Sequence, residues 1–354
     1  IEAWGKDALR VRATKNRSFT GRDWALEAKD AHAGEVEIFE DPSAKGGAFA
    51  NMYEGTDTSY GKITNGKLHA VIDSGSVITF YHEDGRVLLK EHFRRLRDEE
   101  SMPLNIMGRE YSNGVGDNFR IVARFVARKG EKIFGMGQYQ QHELDLKGCM
   151  LELAQRNSQV SVPFYLSSIG YGFLWNNPGV GQVMFANNGT EWVTESGKEI
   201  DYLVIAGDTP AEIEENYMTL TGKPPMMPEY GMGFWQCKLR YWNQEQLLSV
   251  ARKYKELGVP LDVIVVDFFH WTKQGEFKFD PKYWPDVPGM CRELKEMGIQ
   301  VVVSVWPTVD IYSENFEEMK EKGYLVRTEH GVPLTMLCGG NEVFFDATNP
   351  DART

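Results

Sequence analysis

The chain has fewer basic than acidic residues. Its 354 residues include 39 Lys and Arg against 51 Asp and Glu, a formal net charge of −12. Proteins that hold a nucleic-acid backbone need clustered Lys and Arg. No run of 18 apolar residues occurs, and a helix that crosses a bilayer requires one. The sequence therefore predicts that neither a nucleic acid nor a membrane is a partner.

Signals for export, disulfides, metal sites and phosphate loops are also missing. The first residues, IEAWGKDALR, lack the basic start and apolar core of a signal peptide. Four cysteines (Cys149, Cys237, Cys291 and Cys338) lie far apart, without C-x-x-C or a zinc-type Cys/His spacing. We therefore expect a reduced, cytoplasmic protein. No glycine-rich phosphate-binding motif follows a predicted strand, which argues against a nucleotide-binding module.

Aromatic residues are plentiful. They make up 12% of the chain and include 9 Trp and 15 Tyr, while 42% of all residues are hydrophobic and 25% charged. A chain of this length and composition has enough material for two or three globular domains. Most aromatic rings pack in protein cores, but carbohydrate sites also use flat rings, and composition alone leaves both uses open.

Residues 1–208 are typical of a β-rich domain. Short alternating runs stand between turn signals: EVEIFE (35–40), KLHAVIDSG (67–75), SVITFYHEDGRVLLKEH (76–92), FRIVARFVA (119–127), GYGFLWNN (170–177) and VGQVMFAN (180–187). The Asp-Gly pair in HEDGRV is a strong hairpin signal. Many strands at short spacing with few helical periods predict an antiparallel β-sandwich, which we assign to residues 1–221.

A helix and then a linker follow this domain. Thr209 and Pro210 provide an N-cap and a proline at the first helical position, which predicts a helix to about Leu220. The stretch GKPPMMPEYG (222–231) holds three prolines and two glycines, so it cannot continue a regular element. We therefore predict a linker over 222–230 and a second domain over 231–354.

In the second domain, strands alternate with amphipathic helices. The predicted strands are GFWQCK (233–238), LDVIVVD (261–267) and IQVVVSVW (299–306). Helical stripes between them end at Gly258, Gly298 and near Gly323, and Asn243 with Gln246 resembles a capping box. This alternation predicts parallel strands with crossover helices, in a barrel or an open sheet. Residues 324–336 predict an inserted hairpin, and VFFD (343–346) one more short strand.

Asp267 is the first candidate site residue, because it ends a strand of apolar residues. Barrel enzymes keep their chemistry at that end of their strands. Phe268, Phe269, His270 and Trp271 follow, and we expect that one loop cannot bury them all. A flat aromatic wall beside a carboxylate suits a pyranose ring, although a structural role for Asp267 or His270 remains the alternative.

Later strand ends add weaker candidates. Trp306 closes its strand and is expected to line the pocket or pack in the core. Asp310 follows the same logic, while Asp346 is more typical of a helix start than of a ligand contact. Glu276 and Asp280 lie in a long loop and are expected to brace it.

Several motifs together resemble glycoside hydrolase family 31. The barrel-like motifs are GMGFWQCKLRYW, LDVIVVDFFHW, FKFDPKYWPD, VVVSVWPTVD and FFDATNPDAR; upstream are FGMGQ (134–138), KGCMLELAQRNS (147–158), VPFYLSSIGYGFLWNNP (162–178) and GKPPMMPEYG. The resemblance implies an N-terminal antiparallel β-sandwich followed by the first half of a (β/α)8 barrel. It also implies a retaining α-glycosidase, in which one carboxylate attacks the anomeric carbon and a second protonates the leaving oxygen. No residue of this chain matches either catalytic carboxylate, which we expect beyond residue 354.

The resemblance also implies which residues hold the sugar. Asp267 matches a family aspartate that hydrogen-bonds sugar hydroxyls, and Phe268 and Phe269 match the pocket-shaping residues after it. Trp306 stands at the rim of the third strand, and Trp271 belongs to the same aromatic wall. Two further candidates lie in the sandwich loop that family members extend over the active site: Gln138 and Tyr139.

The predicted substrate is a terminal α-linked xylose of a xyloglucan-type oligosaccharide. Phe268 would crowd the space of a hexose hydroxymethyl group, which favours a pentose. The alternatives are an α-glucosidase or α-glucosyltransferase of the same family, and a non-catalytic carbohydrate-binding fragment. Two carboxylates suffice for the reaction, so we expect no metal or organic cofactor. The remaining half of the barrel is expected in a longer protein or a second chain, and a homo-oligomer is compatible with the sequence.

Overall fold

A computed structural model divides the chain into two compact units, Ile1–Pro224 and Pro225–Thr354. It describes residues 1–27, 31–32, 34–40, 59–73, 76–92, 94–95, 105–328, 330–337 and 341–353. The division falls inside the proline-rich stretch 222–231. Cys338 lies outside the described residues, and Cys149, Cys237 and Cys291 are unpaired thiols.

The first unit is built from antiparallel strands. These are β1 Glu2–Trp4, β2 Ala8–Thr14, β3 Ala31–His32, β4 Glu35–Glu40, β5 Ser59–Asn65, β6 Leu68–Ile72, β7 Ile78–His82, β8 Val87–Lys90, β9 Arg94–Arg95, β10 Asn105–Ile106, β11 Arg109–Asn113, β12 Phe119–Phe125, β13 Ile133–Gln138, β14 Met150–Leu153, β15 Val160–Ser167, β16 Tyr171–Trp175, β17 Gly181–Ala186, β18 Gly189–Gly197 and β19 Glu199–Ala206.

These strands form one larger sheet and several smaller ones. The seven-stranded sheet has the order β13-β15-β16-β19-β2-β1-β3, and a five-stranded sheet has the order β11-β12-β18-β17-β14. A second five-stranded sheet runs in sequence order from β4 to β8, and β9 pairs with β10. The predicted antiparallel β-sandwich is therefore confirmed.

The core of the sandwich lies between the sheets, as the alternation of side chains requires. In β16, Phe173 and Trp175 join the main core, where both rings stack on Trp192 of β18. The neighbouring Leu174 points to the other face, where it packs with Ile213. Because both faces of β16 are covered, all five of its residues are buried.

Ile213 belongs to the first helix, α1 Pro210–Thr221, which covers the outer face of the seven-stranded sheet. The Thr209 side chain accepts a hydrogen bond from Glu212 N, so the predicted N-cap is confirmed. The predicted hairpin is also present between β7 and β8. Gly85 sits at its turn with φ +87°, a conformation that favours glycine.

The second unit contains a three-stranded parallel sheet in the order β20-β21-β22. Its strands and helices are β20 Trp235–Cys237, α2 Gln244–Glu256, β21 Val263–Val266, α3 Val287–Glu296, β22 Gln300–Val303, β23 Thr308–Asp310, α4 Phe316–Glu321, β24 Thr335–Leu337 and β25 Asn341–Phe344. The helices alternate with the parallel strands as predicted, which is the repeat of a (β/α)8 barrel. The unit holds part of such a barrel.

Helix α2 begins with the predicted capping pair in a modified form. Asn243 accepts a bond from Gln246 N at 2.9 Å, but the Gln246 side chain accepts from Trp242 N rather than from Asn243 N. Leu247 and Ala251 are fully buried against β21 and α3. The helix ends before Gly258, whose φ of +65° is typical of a helix C-terminus.

The short strand predicted near the end of the chain is present but pairs antiparallel. VFFD (343–346) contributes to β25, which lies between β23 and β24 in a separate antiparallel sheet. The predicted hairpin is present, since Arg327 and Pro333 form an antiparallel bridge. Antiparallel pairing needs only a short connection, so this sheet forms within the loops after β22.

Among the described residues, no helix has both the length and the apolar character needed to cross a membrane.

Candidate functional site

Asp267 lies where the sequence predicted it, directly after the last residue of β21. Its Oδ1 accepts a hydrogen bond from Phe268 N at 2.8 Å, which fixes the carboxylate against the turn of the loop. Its Oδ2 lies 3.8 Å from Cys237 Sγ at the end of β20. Among the described residues, one carboxylate oxygen is therefore held by the backbone, and the other has a weak thiol contact.

Four aromatic rings gather beside this strand end: Phe268, Phe269, Trp271 and Trp306. We call these four the ring cluster. Phe268 stacks on Trp306 with centroids 5.6 Å apart and planes 16° apart, and Trp271 meets Trp306 edge-on at 6.1 Å. Trp306 follows β22, so the contact joins the ends of two neighbouring parallel strands. The structure thus brings four of the predicted site residues together next to Asp267.

Phe269 is the most exposed member of the ring cluster, with 51% of its surface accessible. Its backbone has φ +61°, in the left-handed region that a bulky residue rarely adopts. Such strain is concentrated at functional sites, where surrounding contacts hold it in place. Here Arg240 donates to the Phe269 carbonyl at 3.3 Å, and its guanidinium lies over the Phe269 ring.

His270 and Trp271 are both buried, whereas Phe269 is exposed and Phe268 is half-buried. The loop therefore buries two of its four aromatic residues fully, more than the sequence led us to expect. His270 Nδ1 lies 3.2 Å from the Asp267 carbonyl, and its ring packs on Phe279 and Trp271. Burial lowers the pKa of His270, although the bond to Asp267 opposes the shift. His270 is therefore a structural residue that holds the loop.

The end of β20 contributes residues that sequence reasoning missed. Cys237 faces Asp267, and burial followed by the nearby carboxylate raises the pKa of its thiol. Arg240 stacks on Trp242 at 3.6 Å and reaches Phe269. Cys237 is the last residue of β20 and Arg240 follows three residues later, so the rule that selected Asp267, a position at the end of a parallel strand, could have selected them too.

A cavity of about 390 Å³ opens beside the ring cluster. It is lined by Phe269, Trp271 and Trp306 on one side and by polar residues that include Gln274 and Glu342. Pockets that combine aromatic walls with a few convergent polar groups are the usual form of a small-molecule site. Sequence reasoning missed both polar residues, and no local signal identifies them.

The remaining acidic candidates have mixed roles. Asp310 lines the cavity, and its Oδ1 accepts from Tyr312 N at 2.7 Å. Asp346 accepts from Thr348 N at 2.9 Å, so it braces a turn and does not begin a helix. Asp280 braces its loop as predicted, because it accepts from Lys282 N and its backbone N–H donates to the His270 carbonyl.

Gln138 and Tyr139 lie at the end of β13 in the first unit. The Gln138 side chain is exposed, whereas the Tyr139 hydroxyl bonds to Ser161 Oγ and the Glu152 carbonyl, both at 2.8 Å. Gly137 has φ +89°, and a Cβ there would lie 2.2 Å from the Val160 carbonyl. The FGMGQ motif therefore contains a glycine that this close strand pairing requires.

Family models match both units of the chain. A glycosyl hydrolase 31 N-terminal galactose mutarotase-like domain matches residues 1–183. The glycosyl hydrolases family 31 TIM-barrel domain matches residues 224–354. The chain belongs to glycosyl hydrolase family 31.

Curated relatives in this family include glucosidases and xylosidases. An uncharacterized family 31 glucosidase, ORF2, from Pseudescherichia vulneris is 44% identical over the whole chain, which spans 65% of that relative. Alpha-xylosidase A of Aspergillus niger is 29% identical over the whole chain, which spans 48% of it. The alpha-xylosidase of Saccharolobus solfataricus is 36% identical over 59% of the chain, a match that spans 30% of that enzyme. The chain thus spans less than two thirds of these relatives.

Solved structures of family 31 have the same fold. A GH31 alpha-xylosidase from a soil metagenome, complexed with xylose, is 47% identical with a TM-score of 0.85; the match covers 99% of this chain and 51% of that one. The Flavobacterium johnsoniae GH31 dextranase, complexed with glucose, has a TM-score of 0.76 at 22% identity, over 98% of this chain and 41% of that one. The second likeness concerns the fold alone.

Proposed function

We propose that this chain is the N-terminal part of a retaining α-glycosidase that releases xylose from the ends of α-xylosylated oligosaccharides. The observation that carries the proposal is the ring cluster beside Asp267 at the ends of two parallel strands. A carboxylate supplies a strong acceptor for sugar hydroxyls. The rings supply flat apolar faces that match the C–H faces of a pyranose.

The choice of xylose rests on Phe268. Its backbone N–H binds the Asp267 carboxylate, and its ring is fixed against Trp306 at 5.6 Å. We propose that this ring, on the residue next to the carboxylate, leaves less room for the hydroxymethyl group of a hexose than for the C5 of a pentose. The relatives named as xylosidases, and the soil-metagenome enzyme that holds xylose, support the same choice.

An α-glucosidase is the second candidate. The relative from Pseudescherichia vulneris, which is 44% identical over the whole chain, bears the name of a glucosidase. Transfer to a sugar acceptor in place of water uses the same glycosyl-enzyme chemistry and belongs to this candidate. Both candidates share the two-carboxylate mechanism and differ in the sugar held beside Phe268.

In the described residues of the second unit, we propose sugar-binding roles for Asp267, Phe268, Phe269, Trp271 and Trp306. We propose that the nucleophile and the acid/base belong to a part of the protein beyond residue 354. In a retaining enzyme these two carboxyl groups lie about 5 Å apart. Asp267 would then hold the substrate without forming or breaking a bond.

Further proposals concern the remaining candidates and the partners. Gln138 and Tyr139 are proposed to contact the substrate from the sandwich domain, with exposed Gln138 the better placed to form a new bond. Three unpaired thiols, Cys149, Cys237 and Cys291, support a reduced cytoplasmic location. The partner is an oligosaccharide, and the rest of the barrel is proposed as part of the same protein or a second chain.

A kinetic comparison tests the function. The protein is expressed at the full length of its gene and assayed with p-nitrophenyl α-xyloside and p-nitrophenyl α-glucoside. We expect kcat/KM to be higher for the xyloside. Faster turnover of the glucoside would replace the xylosidase with the glucosidase, and absence of turnover on both would overturn the glycosidase proposal.

A further inference from the structure

Trp24, in the first unit, has a strained backbone conformation. It lies at the first central position of a turn in which Leu26 N donates to the Asp23 carbonyl at 2.9 Å. Its φ is +54°, and glycine, asparagine or aspartate dominates a turn position with such a value. Its indole is 39% exposed, so burial in the core does not explain a tryptophan there. Strain of this kind persists where surrounding contacts enforce it, and it is concentrated at functional sites.

A buried polar network enforces the strained turn. Arg10 donates to Asp23 Oδ1 at 2.7 Å, and Asn176 donates to the Asp23 carbonyl at 3.1 Å. Both donors are in turn tied to Asp201, Arg10 by bonds of 2.9 and 2.6 Å and Asn176 by one of 2.7 Å. The side chains of Arg10, Asn176 and Asp201 are all buried. Because these three groups satisfy one another, the network fixes the residue before Trp24 and presents the indole in one position.

The turn borders a cavity of about 530 Å³, a volume usual for a small-molecule site. Trp24 and Arg22 line this cavity together. The Arg22 guanidinium lies over the Trp24 ring, 5.3 Å from its centroid, which is within the range of a cation–π contact. In the part of the chain that the structure describes, the Arg22 guanidinium makes no ion pair. Its N–H donors are therefore available to a ligand.

The other charged groups of the cavity wall are already paired. Lys198 donates to Asp117 at 2.7 Å, and Glu199 accepts from Thr20 N and Thr20 Oγ1 at 3.1 and 2.7 Å. Asp201 belongs to the network under the turn. Glu199 and Asp201 are buried acids of the same wall, so a ligand with several negative charges would be repelled.

The chemistry of these groups selects a sugar. The Trp24 indole offers a flat apolar surface that matches the C–H face of a pyranose, and Arg22 offers donors to the ring and hydroxyl oxygens. A purely apolar ligand would leave those donors unused, and a polyanion would meet the two buried acids. A polar, uncharged molecule with one apolar face fits both conditions.

We propose that the cavity at Trp24 binds a saccharide, as a second carbohydrate site of this protein. The residues that line it lie in the sandwich unit, and none belongs to the ring cluster. The site stands on the geometry of the sandwich, and only the choice of probes rests on the proposed function. A saccharide held here would keep a polymeric substrate on the protein between cleavage events.

Native gel electrophoresis with a polysaccharide in the gel tests this site. The full-length protein carries Asp267→Asn, so that binding is measured with the other proposed site weakened, and the gels contain xyloglucan, arabinoxylan or dextran. We expect at least one polymer to retard the protein, and Trp24→Gly to raise the Kd for that polymer about tenfold or more. Phe19→Ala is the matched control and should change nothing. Phe19 is also an exposed ring beneath an arginine, with Arg12 at 4.6 Å, but it does not line the cavity.

Thermal melting shows whether weaker binding reflects misfolding. Glycine tolerates a positive φ, so Trp24→Gly should melt at the temperature of its parent or above it. If Trp24→Gly melts much lower, Arg22→Ala takes its place in the same gels. Arg22 is exposed, so this substitution should leave the fold intact.

Three results would overturn the inference. They are equal retardation of Trp24→Gly and its parent, no retardation by any of the three polymers, and retardation by the polyanion heparin alone. Turnover of p-nitrophenyl α-xyloside is measured separately in the protein with Asp267 intact. Absence of that turnover would overturn the proposed function without affecting the gel result. If Trp24→Gly lost turnover in proportion to binding, Trp24 would belong to the site beside Asp267, and the second site would be refuted.

Discussion

Replacing Asp267 should damage activity far more than stability. Its Oδ1 accepts a hydrogen bond from Phe268 N at 2.8 Å, and in the part of the chain that the structure describes its Oδ2 contacts the Cys237 thiol at 3.8 Å. A substrate hydroxyl therefore finds one available charged acceptor. A hydrogen bond to a charged group is worth about 1.5–3 kcal/mol, so Asp267→Ala should lower kcat/KM by about ten- to a hundredfold or more.

The cost to folding should be smaller. Asp267 is half-buried, and the alanine removes one bond to Phe268 N, worth about 1 kcal/mol. Asp267→Asn separates the two effects, because its amide oxygen still accepts from Phe268 N while the charge is lost. We expect Asp267→Asn to melt like the wild type and yet to lose most of the activity.

The same strand offers a matched control. Asp262 lies just before β21, where it accepts from Phe234 N at 2.9 Å, at the opposite end of the strand from the candidate site. Asp262→Asn in the full-length protein should leave kcat/KM on p-nitrophenyl α-xyloside unchanged. If both asparagine variants retained full activity, Asp267 would have no role in binding and the site would be misplaced.

Two further predictions concern stability. In the sandwich, Arg10 donates two hydrogen bonds to Asp201, at 2.9 and 2.6 Å, and both side chains are fully buried. Asp201→Ala should therefore lower the free energy of unfolding, measured by urea titration, by about 3–5 kcal/mol. A loss below about 1 kcal/mol would contradict this prediction. In the second unit, burial lowers the pKa of His270. The His270 imidazole therefore binds a proton less well in the folded state than in the unfolded state, so stability should fall as pH drops from 7 to 5. His270→Asn should show a shallower fall in melting temperature over that range, and equal slopes would count against the shift.

The sandwich was predictable because its signals are local. Alternating residues in β12 and β16, the Asp-Gly hairpin and the Thr209 cap each depend on neighbours a few residues away. The parallel strands were predictable for the same reason, since β21 is apolar throughout and is followed by an amphipathic helix. The family resemblance then predicted that a β-sandwich and part of a (β/α)8 barrel follow one another in the chain.

The candidate site was only partly predictable. The end of a strand can be predicted from sequence, and this identified Asp267 and Trp306. The stacking of Phe268 on Trp306 could not be predicted in that way. The contact of Arg240 with Phe269 was not predictable either, because Arg240 lies on the loop after β20 and meets Phe269 only in the folded structure. The sequence predicted a short strand at 343–346, but it did not show that this strand pairs antiparallel with β23 and β24.

The sequence by itself determined the main alternating strands, the helices between the parallel strands, the caps at Thr209 and Asn243 and the carboxylate at the end of β21, because each follows from side chains within a turn or two of one another. Only the tertiary structure decided which rings meet and which polar groups are left without partners. Gln274 and Glu342 stand 68 positions apart in the sequence, and only the folded structure shows that both line one cavity. Whether a hydrogen bond is satisfied depends on every neighbour in space, and the order of residues along the chain does not carry that information.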